Sequence, residues 1–257
     1  MTDNGSRLFA GRVALVTGAS HGIGAATARL LAGHGAAVAV NYHHDADAAA
    51  KVVHDIHAAG GQAVAIQADV TDPAAVDHLV AAAAAALGPI DVLILNAIGI
   101  DRPAMAPFLE LPQDALEQVV LAQLQAVVLP ARAVATAMAA RGTGSIVVVS
   151  SGLARDPHPG FLDLSTAKAA IEGAARAMAC ELGPQGIHVN IVAAGPTLTR
   201  ANDWADDEVR KRWASETPLG RNAYPGDVAG AVVLMASPLA DFCTGAYLPA
   251  NGGVIMP

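Results

Sequence analysis

The chain has 257 residues, of which 53% are hydrophobic and 15% charged, and its formal net charge at pH 7 is −8. This length suits one large α/β domain with a substantial buried core. The negative charge, without a basic stripe, excludes the usual electrostatic nucleic-acid surface.

Neither a membrane segment nor a targeting signal is predicted. No stretch reaches the roughly 18 uninterrupted apolar residues of a membrane span. The N-terminus also lacks a charged-then-apolar signal pattern. Cys180 and Cys243 are far apart in sequence and outside any cluster of metal ligands. We therefore expect a soluble cytoplasmic protein with no disulfide and no metal site.

Short runs rich in valine and isoleucine alternate with helical patterns along the chain. Strands are predicted at 13–17, 37–41, 62–67, 92–96, 144–150, 188–193 and 246–249. Helices are predicted at 22–33, 45–59, 73–87, 112–140, 164–183 and 225–236. Strands separated by helices form right-handed crossovers and a parallel sheet. We predict a single α/β domain over 1–257, a Rossmann-type doubly wound sheet with helices on both faces.

One long stretch, from about Gly195 to Arg221, has no regular pattern. It is too long for a simple connection, and such loops in compact domains usually cover a binding site. A substrate lid is therefore predicted at about 197–222. Its two tryptophans, Trp204 and Trp213, are expected to line an apolar substrate pocket rather than to perform chemistry.

A glycine-rich turn follows the first predicted strand. The segment Thr17-Gly18-Ala19-Ser20-His21-Gly22-Ile23-Gly24 leads directly into the first helix. At this edge of an α/β sheet, glycines let the backbone approach a pyrophosphate, and the helix N-terminus offers free N–H groups. The turn therefore predicts a site for the phosphates of a dinucleotide cofactor.

The spacing Gly-x-x-x-Gly-x-Gly, preceded by Thr17, resembles the short-chain dehydrogenase/reductase family. Similar family positions recur in order along the chain to about residue 255: Asp69-Val70, Asn96-Ala97, Ser150-Ser151, Lys168, Gly195-Pro196-Thr197-Leu198-Thr199 and Asn251-Gly252-Gly253. The resemblance implies a nicotinamide cofactor. The cofactor-binding residues that we infer are Thr17, Gly18, Ser20, His21, Gly22, Ile23, Gly24, Asn41, Tyr42, His43, Asp69, Val70, Asn96, Ala97, Lys168, Gly195, Pro196, Thr197 and Thr199.

The end of the second strand favours NADPH over NADH. An acidic residue there would bind the ribose hydroxyls and repel a 2′-phosphate. This chain instead has Asn41-Tyr42-His43-His44, with Asp45 only further on. Neutral and potentially cationic groups accept a phosphate, although these histidines are also compatible with an ordinary solvated loop.

The catalytic residues of the family are only partly present. Members usually carry Tyr-x-x-x-Lys on one helix, a serine thirteen positions before the tyrosine and an asparagine in the preceding helix. Ser151 and Lys168 match the serine and lysine positions, and the asparagine position falls on Gln123. The tyrosine position is occupied by Leu164, which has no proton to donate. Ordinary ketone reduction requires such a general acid.

The family's enoyl-thioester reductases place their tyrosine seven residues before the lysine, which here is Phe161. In its surrounding segments the chain also resembles enoyl-acyl-carrier and dienoyl-CoA reductases and β-ketoacyl-carrier reductases. Enoyl reduction tolerates the missing tyrosine because the α-carbon of the enolate takes its proton from water. His158 and Asp163 are alternative acids, each also readily explained as structural.

We therefore expect an NADPH-dependent reductase of a conjugated carbon–carbon double bond in an acyl thioester or related compound. Two alternatives remain: a non-redox lyase, cyclase or isomerase, and a catalytically silent partner subunit. The family resemblance also implies a homotetramer or homodimer built on helices 112–140 and 164–183 and the last strand.

Overall fold

The computed structural model describes residues 7–100, 104–112 and 114–256. Seven strands form one parallel sheet: β1 Val13–Val16, β2 Ala37–Tyr42, β3 Gln62–Gln67, β4 Val92–Leu95, β5 Gly144–Ser151, β6 Ile187–Ala194 and β7 Tyr247–Ala250. The strand order is β3-β2-β1-β4-β5-β6-β7. This order reverses between β1 and β4, and such a reversal opens a crevice at the carboxyl ends of the strands.

Seven α-helices alternate with these strands in the described part of the chain. They are α1 Gly22–Gly33, α2 Ala46–Ala58, α3 Pro73–Leu87, α4 Ala115–Arg141, α5 Leu162–Leu182, α6 Asp207–Glu216 and α7 Pro225–Ala236. Side chains of α1, α2 and α7 pack in the hydrophobic core on one face of the sheet. Those of α3, α4 and α5 pack in the core on the other face. The predicted doubly wound fold is therefore confirmed.

The central strands are buried on both faces, as their continuous apolar sequences predict. In β1, Ala14 and Val16 belong to one core. Val13 and Leu15 belong to the other. This alternation follows from the two-residue period of a strand.

The helix α4 is the one described helix that is long and apolar enough to cross a membrane by length and composition. However, 44% of its most apolar window is buried inside the protein. Ala126, Val127 and Ala131 on this helix lie in the core beside the sheet. A core helix of a soluble protein has the same composition, so α4 is weak support for a membrane span.

The stretch predicted to be irregular after β6 is partly helical, so that prediction is wrong in this detail. A short 3-10 turn occupies Arg200–Asn202, and α6 occupies Asp207–Glu216. The Asp206 side chain caps α6 by accepting a hydrogen bond from Val209 N at 2.9 Å. No residue of α6 is fully buried. Its apolar residues are only Val209, Trp213 and Ala214, too few for the long apolar repeat by which a helix is predicted.

Candidate active site

A cavity of about 730 Å³ opens along the carboxyl ends of the strands. It extends from the adenosine side, at the ends of β2 and β3, to Lys168 on α5. Many predicted cofactor residues line it: Gly18, Ser20, His21, Gly22, Ile23, Asn41, His43, Asp69, Val70, Asn96, Ala97, Lys168 and Thr199.

The conformation and packing of the glycine turn disfavour side chains at its glycine positions. Gly18 and Gly22 have φ values of +61° and +52°, a region that favours glycine. A Cβ on Gly24 would collide with the carbonyl oxygen of Gly18 and lie 2.6 Å from Asn96 Nδ2. The turn therefore offers bare backbone and the N-terminus of α1, as a pyrophosphate site requires.

Thr17 and Asn96 lie beside the turn and hold it in place. Thr17 Oγ1 accepts hydrogen bonds from the backbone N–H groups of Asn96 and Ala97, at 3.0 and 3.1 Å. In return, Asn96 Nδ2 donates to the carbonyl oxygens of Thr17 and Gly18, at 3.0 and 3.1 Å. These bonds join the ends of β1 and β4, so both residues fix the conformation of the turn.

Asn41 lines the cavity, but its amide is engaged by the protein backbone. Its Oδ1 accepts from Gly18 N at 3.1 Å, and its Nδ2 donates to Ala68 O at 3.1 Å. The residue is only 2% exposed. Asn41 therefore links the glycine turn to the end of β3, and its amide is not free to receive a phosphate.

Asp69 follows β3 and faces the same end of the cavity. Burial alone would raise the pKa of Asp69, but hydrogen bonds from the backbone and side chain of Thr71 hold it below its ordinary value. Its Oδ2 lies 3.9 Å from His43 Nε2. The Asp69 carboxylate is therefore ionised at neutral pH and held in one orientation.

Six predicted cofactor residues do not line the cavity: Thr17 and Gly24, which shape the glycine turn, and four residues that lie elsewhere. The side chain of Tyr42 packs against the core. Gly195 lies so close to β7 that a Cβ there would be 2.8 Å from Asn251 Cα. Thr197 is buried and donates a hydrogen bond to Gly195 O. Pro196 does not line the cavity, so within this segment Thr199 alone of the predicted residues does so.

The sequence analysis missed Arg200, which the 3-10 turn after Thr199 brings to the cavity. Arg200 Nη1 lies 2.6 Å from His21 Nε2 and 3.3 Å from Asp45 Oδ2. The same Asp45 oxygen is 2.7 Å from His21 Nε2. No local pattern connects residues so distant in sequence.

Lys168 lies on the inner face of α5 and is 6% exposed. Its Nζ donates to the carbonyl oxygen of Val149 at 3.3 Å. Desolvation by burial lowers the pKa of Lys168 to about 8, an effect that the negative charge of Glu172 partly opposes. The amine therefore changes its protonation state near neutral pH.

Gln123, at the predicted asparagine position on α4, is fully buried. Neither atom of its amide has a hydrogen-bond partner among the described residues. Buried amides are almost always paired. Gln123 does not line the cavity, so its unpaired amide is enclosed within the protein.

The two serines at the end of β5 have different surroundings. Ser151 Oγ accepts from Leu153 N at 3.3 Å, which leaves its O–H proton free to donate. Ser150 lines the cavity and donates to Glu172 Oε1 at 2.9 Å. Glu172 is buried and also lies 3.4 Å from Arg155 Nε, a polar cluster that the sequence analysis did not identify.

The first turn of α5 brings Leu164 and Lys168 onto one side of the helix, one turn apart. Phe161 comes just before this turn, and its ring centroid is 6.3 Å from that of Trp204. Trp204 in turn makes an edge contact with Trp213 of α6, at 5.6 Å between centroids. Aromatic rings thus join α5 to the predicted lid.

The two alternative acids have structural surroundings. Asp163 is fully buried, and its carboxylate accepts from the backbone N–H groups of Ala104 and Leu164, both at 2.7 Å. It thereby fastens the loop after β4 to the start of α5. His158 is exposed in the loop before α5, where its carbonyl oxygen accepts from Phe161 N. Neither side chain lines the cavity among the described residues.

Comparison with known proteins places the chain in a family. Residues 18–255 match a family model described as enoyl-(acyl carrier protein) reductase. The chain is 40% identical over 251 residues to L-rhamnose 1-dehydrogenase (NAD(P)(+)) of Sphingomonas sp. (strain SKA58), covering 96% of this chain and 98% of that protein. It is 42% identical over 246 residues to cis-4-hydroxycyclohexanecarboxylate dehydrogenase of Sinomonas cyclohexanicum, covering 95% and 97%.

Its fold is similar to the crystal structure of a short-chain dehydrogenase from Burkholderia cenocepacia in complex with NADP. The TM-score is 0.85 at 37% sequence identity, covering 96% of this chain and 98% of the other. The match to the family model runs from the glycine turn to the segment after β7. The chain therefore belongs to the short-chain dehydrogenase/reductase family of NAD(P)-dependent oxidoreductases.

Proposed function

We propose that this protein is an NADPH-dependent reductase of a carbon–carbon double bond conjugated to the carbonyl of an acyl thioester or a related compound. The observation that carries the proposal is Leu164. It occupies the position where the family resemblance expects a proton-donating tyrosine, one helical turn before Lys168. Its side chain is aliphatic, so the active site is atypical and a standard carbonyl reduction lacks its acid.

The cavity fits NADP(H). The bare backbone around Gly18 and Gly24 suits a pyrophosphate, and His21, His43 and Arg200 add basic groups beside Asp45 and Asp69. One solved relative is named as a complex with NADP, and the rhamnose dehydrogenase is named for NAD(P)(+). When bound, this cofactor supplies a hydride to carbon.

The location of the proton distinguishes the two kinds of reduction. Carbonyl reduction leaves negative charge on an oxygen that must be protonated inside the site. Double-bond reduction places the charge on the thioester oxygen as an enolate, and the new proton enters at the α-carbon. Water can supply that proton, while the Ser151 hydroxyl and the Lys168 ammonium are suited to stabilise the enolate oxygen.

The surroundings of Leu164 favour an apolar substrate. Leu164 and Phe161 remove polar groups from the start of α5, and Phe161 contacts Trp204 across the gap to the region after β6. We propose that residues 197–222 act as the substrate lid, with Trp204 and Trp213 against the substrate. An acyl chain is an apolar group of the kind that such aromatic surfaces bury.

A second candidate, carbonyl reduction and its reverse, is favoured by the names of the two relatives, a rhamnose 1-dehydrogenase and a hydroxycyclohexanecarboxylate dehydrogenase. In that case Lys168 would itself transfer the proton, because its pKa of about 8 allows both protonation states near neutral pH.

Nicotinamide absorbance distinguishes these candidates. The purified protein is mixed with NADPH and either a crotonyl or an acetoacetyl thioester. We expect NADPH oxidation with the crotonyl substrate alone. Oxidation with the acetoacetyl substrate alone would favour the second candidate. No oxidation with either, despite tight NADPH binding, would contradict both for simple acyl substrates and leave a non-redox or silent protein.

A further inference from the structure

Arg200, His21 and Asp45 form a compact charged cluster at one end of the cavity. The three residues come from the turn after β6, the glycine turn and the residue that precedes α2. Their distances are 2.6 Å between Arg200 Nη1 and His21 Nε2, 2.7 Å between His21 Nε2 and Asp45 Oδ2, and 3.3 Å between Arg200 Nη1 and Asp45 Oδ2. All three line the cavity.

Arg200 and His21 form a site suited to an anion, and the Asp45 carboxylate occupies it. A single His21 nitrogen faces both a guanidinium and a carboxylate, so the Asp45 oxygen is what holds two basic groups together. The pKa of Asp45 lies below its ordinary value, mainly because its carboxylate accepts a hydrogen bond from Ala48 N and then because of His21. Asp45 is therefore negatively charged at neutral pH.

The second oxygen of Asp45 has a separate role. Oδ1 accepts from Ala48 N at 3.0 Å and so caps the N-terminus of α2. This bond keeps the side chain at the edge of the cavity whatever happens to Oδ2. Another anion can therefore replace Oδ2 as the partner of Arg200 and His21 while the cap remains. The nearby Asp45 carboxylate then repels that anion.

The position of the cluster indicates which anion this is. Asp45 comes three residues after β2, at the sheet edge where a dinucleotide of this fold places its adenosine ribose. NADP(H) carries a phosphate on this ribose where NAD(H) carries a hydroxyl. A guanidinium is the side chain best suited to phosphate oxygens, because it donates two parallel hydrogen bonds.

We propose that Arg200 binds the adenosine 2′-phosphate of NADP(H) together with His21, and that Asp45 competes with this phosphate for the same two basic groups. Arg200 belongs to the turn that opens the proposed lid. The preceding Thr199 packs at 3.4 Å from the position of a Cβ on Gly22. The start of the proposed lid therefore already lies against the glycine turn, and the 2′-phosphate adds a link between them that NADH cannot make. This proposal depends on NADP(H) as the cofactor and not on the reaction.

The test is calorimetric measurement of nucleotide dissociation constants for Arg200→Ala. We expect the Kd for NADPH to rise about 10- to 100-fold, as when a hydrogen-bonded charge is removed, and the Kd for NADH to change less than about threefold. Arg212→Ala is the matched control, since it removes the same charge from α6, where Arg212 lies 3.9 Å from Glu216. It should leave both constants unchanged.

Adenosine fragments separate the 2′-phosphate from the pyrophosphate. Arg200→Ala should weaken the binding of 2′,5′-ADP and leave the binding of 5′-ADP unaffected. Equal losses for NADPH and NADH would place Arg200 on the pyrophosphate and overturn the proposal, as would no loss for either. Arg200→Lys should recover part of the NADPH affinity, because it restores the charge without the planar fork.

Asp45→Asn tests the competition. Asparagine is as good a cap as aspartate, so α2 should be retained while the repelling charge is removed. We expect tighter binding of NADPH and little change for NADH; unchanged or weaker NADPH binding would contradict the role of Asp45. Because only binding is measured, tight NADPH binding without crotonyl reduction would reject the proposed reaction and leave this inference intact.

Discussion

At the scale of single residues, the first turn of α5 determines what chemistry is available. Leu164 and Lys168 are one turn apart on this helix, and of the two only Lys168 has a side-chain proton that it can transfer. Lys168 is buried, and its Nζ donates a hydrogen bond to Val149 O. In the proposed site, the chain therefore keeps the basic residue of the family pattern and has the aliphatic Leu164 at the position of its acid.

Restoring the hydroxyl tests whether the missing acid alone limits the site. We expect Leu164→Tyr to acquire reduction of an acetoacetyl thioester by NADPH, because it adds a general acid one turn before Lys168. The matched control is Leu164→Phe, which adds the same ring without the hydroxyl and should stay inactive. The measurement is the rate of NADPH oxidation. Equal rates in the two variants would mean that the ring, not the proton, had changed the site.

Lys168 also predicts a pH dependence. Its pKa is lowered by burial to about 8, so the side chain is charged below that pH and neutral above it. If the ammonium stabilises the enolate oxygen, kcat/KM for the crotonyl substrate should fall about tenfold for each unit above pH 8. Lys168→Arg keeps its charge and should remove the decline, although its activity is lower. A profile that is flat through pH 9 in the unaltered protein would contradict this role.

At the scale of elements, the glycine turn and the start of α1 form one rigid unit with the end of β4. Gly24 packs so closely against Gly18 and Asn96 that its backbone has no room for a side chain. Four hydrogen bonds join Thr17 and Gly18 at the end of β1 to Asn96 and Ala97 at the end of β4. The phosphate site is therefore built by the packing of two elements, not by the flexibility of a loop.

Adding one methyl group tests that packing. Gly24→Ala should lower the free energy of unfolding by on the order of 1–3 kcal/mol, as overpacking against backbone does, and weaken NADPH binding. Gly33→Ala at the other end of α1 is the control, since a Cβ there has no atom within 4 Å. Denaturant unfolding and NADPH titration of both variants give the comparison. An unchanged Gly24→Ala protein would mean that the turn relaxes freely.

The helix α6 makes a separate prediction for the proposed lid. Asp206→Ala removes its cap and should cost α6 about 1 kcal/mol, so its amides should exchange hydrogen faster than those of the core helices. Asp207→Ala removes a charge from the same turn without removing the cap and should have a smaller effect. Exchange rates over 207–216 measure both. Equal protection in the two variants would show that Asp206 does not hold the helix.

At the scale of the whole molecule, the cavity joins segments from most of the chain. Its lining includes residues from the glycine turn, the ends of β2, β3, β4 and β5, the helix α5 and the turn after β6. A ligand that fills it contacts each of these at once. Cofactor binding should therefore stabilise the entire fold and not one element.

The expected stabilisation follows from mass action. At 100 times its Kd, NADPH should add about 2.7 kcal/mol and raise Tm by roughly 5–10 °C. At the same concentration NADH should raise Tm less, because Arg200 and His21 have no 2′-phosphate to bind. Thermal unfolding at matched concentrations measures both shifts. Identical shifts would contradict a preference for NADPH, and the Gly24→Ala variant should show the smallest shift with either nucleotide.

The sequence by itself determined the fold and predicted where the cofactor binds. The alternation of apolar strands and amphipathic helices predicts β1 to β7 to within a residue or two, because burial on both faces requires continuous apolar strands. The glycine turn and Lys168 were recognisable from residue type and spacing. The absence of a catalytic tyrosine at Leu164 is likewise inferred from spacing and stays a prediction. Each of these is a local property, readable without knowing which segments meet.

Only the tertiary structure decided how the predicted residues are used. The amide of Asn41 is engaged by Gly18 and Ala68, and Asp163 is buried under two backbone N–H groups. Arg200 reaches His21 from a segment that follows β6. These contacts depend on the order of the strands in the sheet, which brings distant segments together at one edge. No local pattern encodes such a pairing, since its free energy comes from groups that are neighbours only after folding.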